Sequence, residues 1–231
     1  AKTGSPILIG RDFRASSPSI AETCIGALTR AGFKPIDCGT VPTPALALHA
    51  MSLDAPALMI TGSHIPADRN GIKFYLPDGE IDKQDETAIA AQAEKVEQEL
   101  RDLTPGTAED QSAKTAKLFY DRNIALLPEN SLAGLKIGVY QHSTVDRDLF
   151  VDVLSHYGAD VVALGRSETF IPVDTEAVSD ETLKLLKKWA YQQTLDAIVS
   201  ADGDGDRPLL ADENGTPLRG DLIGLITAGF L

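Results

Sequence analysis

Leu195-Asp196-Ala197-Ile198-Val199-Ser200-Ala201-Asp202-Gly203-Asp204-Gly205-Asp206-Arg207-Pro208-Leu209-Leu210-Ala211 is the stretch around which the rest of the chain is organised. A strand-like run over 196–200 enters three carboxylates at i, i+2 and i+4, and a second strand-like run over 208–212 follows. In an extended or looping backbone that spacing puts all three acids on one side. The intervening glycines lack Cβ and let the chain turn tightly around whatever the acids hold. Three ionised carboxylates this close repel each other, so a positive partner belongs among them. An oxygen-only donor set suits Mg²⁺, Mn²⁺ or Ca²⁺ and does not suit zinc. A solvated acidic turn is the plainer alternative, and the ordered-looking flanks argue against it.

Two other readings of this loop fail on spacing. An EF-hand loop needs Gly at its sixth position, where Arg207 stands, and helices on both flanks. A dinucleotide-binding G-x-G-x-x-G needs a third glycine, where Pro208 stands.

Outward from the loop, short apolar runs alternate with amphipathic ones. Strands are predicted at Ile7 to Gly10, Lys34 to Cys38, Ala57 to Ile60, Ile72 to Leu76, Leu135 to Val139 and Asp160 to Leu164. Helices are predicted over about 17–31, 44–52, 82–101, 111–126, 146–157 and 179–192, with a last one from about Asp221. Their expected inward faces include Ile20, Cys24, Ala27, Leu28 and Ala31 in the first. Ile89, Ala93, Val96 and Leu100 play that part in the third, and Ala116, Phe119, Tyr120 and Ile124 in the fourth. This alternation predicts an α/β fold with mixed, largely parallel sheets. Residues 127–134, with Pro128, Asn130 and Ser131, read as a boundary between two consecutive layered domains, 1–128 and 129–231. Ligands of open α/β sheets collect at the carboxyl ends of strands. The polar loops 61–71 and 201–207 both follow such ends.

Composition narrows the partners. The formal net charge is −13 and no basic stripe occurs, which argues against nucleic acid and an acidic membrane surface. An anionic substrate would have to be held by local arginines, lysines and metal. No apolar run reaches transmembrane length and no signal peptide is visible. The two cysteines, Cys24 and Cys38, form neither a CxxC motif nor a secretory framework, so a reduced, cytoplasmic setting is expected.

Ser63 is a second focus, between Gly62 and His64 with Pro66 beyond. It can be a nucleophile, a phosphate carrier or a turn residue. A nucleophile elbow is excluded, because G-x-S-x-G would need Gly at Ile65. A phosphorylated serine would bring close to two negative charges and strong acceptor oxygens, and so could complete the set begun by Asp202, Asp204 and Asp206. Lys73 could move a proton to or from a hydroxyl if its pKa is lowered, or be an exposed strand lysine. Arg14 could fork a phosphate or be surface charge. His64 could carry a proton or orient a neighbour.

Four stretches, in order, resemble the α-D-phosphohexomutases, the phosphomannomutase/phosphoglucomutase family. Gly10 to Ser17 is similar to G-R-D-x-R-x-S-S, and Gly39 to Pro44 to G-x-x-P-T-P. Thr61-Gly62-Ser63-His64-Ile65-Pro66 with Asn70-Gly71-Ile72-Lys73 is similar to T-A-S-H-N-P followed by N-G-x-K. Asp202 to Arg207 matches D-G-D-G-D-R fully. Gly62 and Ile65 depart from the usual Ala and Asn.

The resemblance implies that Ser63 is the phosphoserine and that Mg²⁺ is held by Asp202, Asp204, Asp206 and Ser63. It implies catalytic parts for Lys73, Arg207 and His64, and phosphate contact for Arg14. The expected reaction moves a phosphoryl group between the 1- and 6-positions of a hexose phosphate through a hexose bisphosphate, with glucose or mannose 1,6-bisphosphate as activator. The resemblance covers two of the family's four domains and lacks the family's opening strand. A fragment is therefore expected, alternatively a magnesium-binding, phosphate-accepting one without turnover. Choice of sugar falls to the domains beyond these two, and no oligomeric state is assigned.

Overall fold

A computed structural model describes residues 3–96 and 105–230. The first unit runs β1 (Pro6–Arg11), α1 (Ser17–Arg30), β2 (Lys34–Thr40), α2 (Thr43–Ser52), β3 (Ala57–Ile60), β4 (Ile72–Leu76), β5 (Gly79–Glu80), α3 (Lys83–Val96), β6 (Glu109–Asp110) and α4 (Ser112–Ile124). The second runs β7 (Lys136–Tyr140), α5 (Arg147–His156), β8 (Asp160–Leu164), α6 (Asp180–Gln193), β9 (Ala197–Ala201), β10 (Pro208–Ala211) and α7 (Gly220–Phe230).

Two sheets result, ordered β5-β4-β3-β1-β2-β6 and β10-β9-β7-β8. Pairing is parallel among β3, β1, β2 and β6, and among β9, β7 and β8. Strands β4, β5 and β10 are antiparallel additions at the edges. The mixed, largely parallel α/β architecture read from the sequence is the observed one.

β1 is buried on both faces, as a central parallel strand must be. Leu8 packs with Cys38, Leu46 and Met59 on the α2 side, and Ile9 with Ala21, Ile25 and Ile60 on the α1 side. In the second sheet Ile198, Leu209 and Tyr140 pack with Leu186 and Ala190 of α6. Ser179 caps α6, accepting from Thr182 N–H at 3.2 Å.

Three inward faces differ from the periodicity reading. α1 buries Ser17, Ala21 and Ile25, with Cys24 and Leu28 half-buried and Ala27 and Ala31 exposed. α4 buries Thr115 and leaves Ala116 exposed, because Thr115 bonds His49 of α2. α3 leaves Ile89 and Ala93 exposed, and the expected turns over 97–101 lie outside the described residues. β6 was not foreseen: its two acidic residues have no apolar run to announce them.

What positions the site is the direction of the parallel strands. β1, β2, β3, β7, β8 and β9 each deliver a loop from their carboxyl end, and these loops meet at one seam between the sheets.

Candidate functional site

The seam is built from the first sheet upward. Asp12, after β1, accepts from Arg14 N–H at 3.0 Å, Arg14 Nε at 3.1 Å, Ser17 Oγ at 2.5 Å and Thr61 Oγ1 at 2.9 Å. So anchored, the Arg14 guanidinium is fully buried. It donates to the carbonyl oxygens of Ser63 (2.9 Å), Ile65 (2.7 Å), Pro66 (2.6 Å) and Arg69 (2.9 Å). Arg14 thus holds the 61–71 loop by its backbone. Burying that charge is tolerable because every direction of the fork meets an acceptor.

The two departures in this loop have local explanations. A Cβ on Gly62 would lie 2.7 Å from Arg14 Cζ, so glycine leaves room for a guanidinium that cannot move. Ile65 contributes its carbonyl to Arg14 and its N–H to the Gly62 carbonyl, so the loop uses position 65 through its backbone. Asn70 ties the loop's far end to Ser16 and Ser17, donating to both hydroxyls at 2.9 Å.

Ser63 sits at the loop's tip with φ +49°, a left-handed conformation that a non-glycine residue adopts only when its surroundings impose it. Its N–H donates to Thr61 Oγ1 at 2.8 Å. Its hydroxyl crosses the seam and donates to Asp202 Oδ2 at 2.5 Å. His64 Nδ1 lies 3.4 Å from the same hydroxyl and 3.2 Å from Arg207 Nη1.

From the second sheet, Asp202 and Asp204 are buried and Asp206 is exposed. Each of the three offers a carboxylate oxygen within 4.8 Å of the others. Asp202 Oδ1 accepts from Asp206 N–H and Arg207 N–H, both at 3.2 Å, which closes the loop on itself. Gly205 has φ +75°, and a Cβ there would collide with the Asp146 carboxylate behind it. Thr43, at the start of α2, donates its hydroxyl to Asp204 Oδ2 at 2.7 Å and its N–H to the Asp204 carbonyl at 2.9 Å. Lys73 reaches over from β4, its Nζ 2.8 Å from Asp204 Oδ2 and 2.6 Å from Asp206 Oδ2.

Electrostatics follow from this packing. Burial, with Asp204 and Asp206 adding to it, raises Asp202 to about 7. Burial and the same three aspartates push Asp146 well above the carboxylate range. Asp204 goes the other way: burial opposes its charge, but Lys73 and Thr43 outweigh it and hold it low. Lys73 corrects an expectation. Burial disfavours its charge, yet Asp204 and Asp206 overcome that and raise its pKa. A lysine with its pKa lowered for proton abstraction is not the state in this structure.

The acidic loop fits a hard cation. Asp204 Oδ1 is buried without a hydrogen-bond partner, and Asp204 belongs to the set of three aspartates whose carboxylate oxygens converge. Seven of the eight side chains singled out in the sequence surround one centre, and the eighth, Arg14, backs the Ser63 loop. Sequence reasoning missed Asp12, Thr43, Asn70 and Asp146. The first three lie in motifs quoted above, but their partners are up to 161 residues away, as for Thr43 and Asp204.

Two family models match in order. Residues 1–100 match the phosphoglucomutase/phosphomannomutase α/β/α domain I, and residues 118–215 match domain II. A phosphomannomutase of Sinorhizobium fredii (strain NBRC 101917 / NGR234) is 57% identical over 99% of this chain and 48% of its own length. One of Salmonella muenchen is 46% identical over 95% of this chain and 45% of its own. A phosphoglucosamine mutase of Brucella ovis is 32% identical over 97% of this chain and 50% of its own. The chain thus spans about half the length of the curated relatives it matches. A solved family protein from Burkholderia thailandensis superposes with TM-score 0.77 over 93% of this chain and 48% of its own, at 22% identity, which shows the shared fold. The chain belongs to the phosphoglucomutase/phosphomannomutase family.

Proposed function

We propose that this chain carries the phosphoryl-transfer centre of a phosphohexomutase, with Ser63 as the residue that gives up and recovers the phosphoryl group. The observation that carries the reading is Ser63 Oγ lying 2.5 Å from Asp202 Oδ2 although 139 residues separate them. Division into two domains at 128/129 goes with it, since α4 still bonds α2 through Thr115 and His49.

In the reaction, the phosphorus–oxygen bond on Ser63 breaks as a free hydroxyl of a hexose 1- or 6-phosphate attacks. The hydroxyl proton leaves to a base, and a hexose bisphosphate forms. After that intermediate turns over in the site, its other phosphoryl group passes back to Ser63 Oγ. Asp202, Asp204 and Asp206, with the phosphorylated Ser63, would hold Mg²⁺. When bound, such an ion neutralises charge on a transferring phosphoryl group and lowers the barrier electrostatically.

The chain's own residues account for the remainder. Arg14 fixes the backbone on which Ser63 stands, so the nucleophile does not wander between transfers. Arg207, 38% exposed at the mouth and 3.7 Å from Glu176 Oε1, is placed to exchange that partner for a phosphoryl oxygen. For Arg207 to donate to His64, Nδ1 must be bare, which leaves Nε2–H as a donor. Lys73 keeps its proton while Asp204 and Asp206 hold it. Freed of those partners, its burial favours the neutral amine that a base needs. The relatives' names support a hexose phosphate as substrate, and a hexose bisphosphate as activator follows only from the proposed reaction.

Intact-mass analysis after incubation with glucose 1,6-bisphosphate should show one phosphoryl adduct, localised to Ser63 and lost in Ser63→Ala. No adduct on Ser63 would sink the proposal. A second reading is favoured by the half-length span: a magnesium-binding, phosphate-accepting chain without turnover. A coupled mutase assay on the chain as it stands separates the two, since turnover contradicts the second.

A further inference from the structure

Phe170 lies in the segment between β8 and α6, which carries none of the four motifs. Its ring stands against both halves of the seam. On one side the Arg14 guanidinium carbon is 4.2 Å from the ring centroid, a cation–π geometry. On the other, the ring edge packs on Gly203, where a Cβ would lie 2.9 Å from Phe170 Cζ and 2.9 Å from the Ser63 carbonyl oxygen. One side chain therefore touches the residue that holds the Ser63 loop and the glycine between Asp202 and Asp204.

The ring is held from behind. Ser143 Oγ accepts from Ile171 N–H at 2.7 Å and donates to the Ile171 carbonyl at 3.2 Å. Arg147 Nη1 donates to the Ser167 carbonyl at 3.0 Å, and Ser167 N–H to the His142 carbonyl at 2.9 Å. A reciprocal contact lies alongside, with the Arg147 guanidinium carbon 4.2 Å from the Phe13 centroid. Each unit thus offers an aromatic ring to an arginine of the other.

We infer that Phe170 is a positioning residue that sets the separation of the Ser63 hydroxyl from the Asp202–Asp206 carboxylates. The inference rests on the proposed use of those groups. A planar ring suits this task because it gives a flat face to a guanidinium and a thin edge to a backbone that has no room for a Cβ. An aliphatic side chain fills volume there without the quadrupole that keeps Arg14 against it.

The test uses the full chain with Mn²⁺ as probe, in wild type, Phe170→Leu and Phe170→Tyr. Titration calorimetry reads Mn²⁺ affinity, hydrogen exchange reads residues 61–66 and 202–206, and far-UV circular dichroism confirms folding. Phe170→Leu should bind Mn²⁺ about fivefold to tenfold more weakly, with faster exchange in both loops. Phe170→Tyr, which keeps the ring, should restore both. A folded Phe170→Leu with wild-type affinity and wild-type exchange overturns the inference, as does failure of Phe170→Tyr to rescue. Should Phe170→Leu not fold, Phe170→Met carries the same comparison. A wild type that binds no Mn²⁺ overturns the reading of the acidic loop instead, and loop exchange alone then decides whether Phe170 joins the two loops.

Discussion

Among single residues, Asp202 is the most informative, because its surroundings oppose its charge. It is buried among Asp204, Asp206 and Asp146, and only hydrogen bonds from Ser63 and two backbone N–H groups soften that. Its carboxyl, near 3.8 in the unfolded chain, is raised to about 7 in the fold. Between those values the folded chain binds more protons than the unfolded one. The contribution of Asp202 to metal-free stability, read as the difference between wild type and Asp202→Asn, should therefore fall as pH rises through that window and level off above about 7. Cation affinity should do the opposite, rising by up to about tenfold per pH unit below 7, since the ligand must shed its proton. Asp202→Asn removes the repulsion, keeps a carbonyl for the backbone N–H groups and can donate to Ser63. We expect its metal-free melting temperature to rise by about 2–6 °C while Mn²⁺ binding is lost. Thermal scans with and without Mn²⁺ check this. A lower metal-free melting temperature in Asp202→Asn would show that the carboxylate is there for structure and not for a cation.

At the scale of elements, the loop after β7 matters as much as the ones the motifs announce. His142 has φ +20° and is fully buried, with Nε2 2.8 Å from the Ala201 carbonyl, directly before Asp202. Burial lowers its pKa to about 4. Its unfolded value is near 6.5, so the unfolded chain binds the extra proton first as pH falls between the two. The contribution of His142 should fall by about 3 kcal/mol from pH 6.5 down to 4, against the opposite trend of Asp202, and it is read as the difference between wild type and His142→Gln. Urea unfolding of wild type and His142→Gln across that range measures it; parallel pH profiles would assign the acid sensitivity elsewhere. This loop also shows why sequence reading stopped where it did. The acids of 202–206 are legible because their spacing is itself the chemistry. Ile7 to Gly10 and Ala57 to Ile60 are legible because a buried parallel strand is apolar throughout. Thr115, Asp12 and Phe170 are not, because each is defined by a partner that only the fold supplies: His49, the Arg14 fork and Gly203. Apolar periodicity even points away from Thr115, selecting Ala116 beside it, which is exposed.

For the whole molecule, the consequence is that two separate sheets share one centre. The bonds across the seam converge there: Ser63 to Asp202, Thr43 to Asp204, and Lys73 to Asp204 and Asp206. The carboxylates that would hold a cation all come from the second sheet, yet their partners come from the first. A cation therefore acts on the contact between the units as well as on its own loop. Lys73 is the point of exchange, since its ammonium neutralises two of the three carboxylates that a cation would need. Lys73→Met should accordingly lower metal-free stability and strengthen Mn²⁺ binding, a pairing that a merely structural lysine would not give. In wild type, Mn²⁺ at about 100 times its Kd should stabilise the fold by about 2.7 kcal/mol. Hydrogen exchange decides whether that gain is shared. If the seam couples the units, amides of β1 and β3 gain protection together with those of β7 and β9, although the first sheet supplies no carboxylate. Protection confined to residues 197–211 would mean that the sheets meet at the site without sharing stability, and Lys73→Met would then change Mn²⁺ affinity without changing exchange in β1.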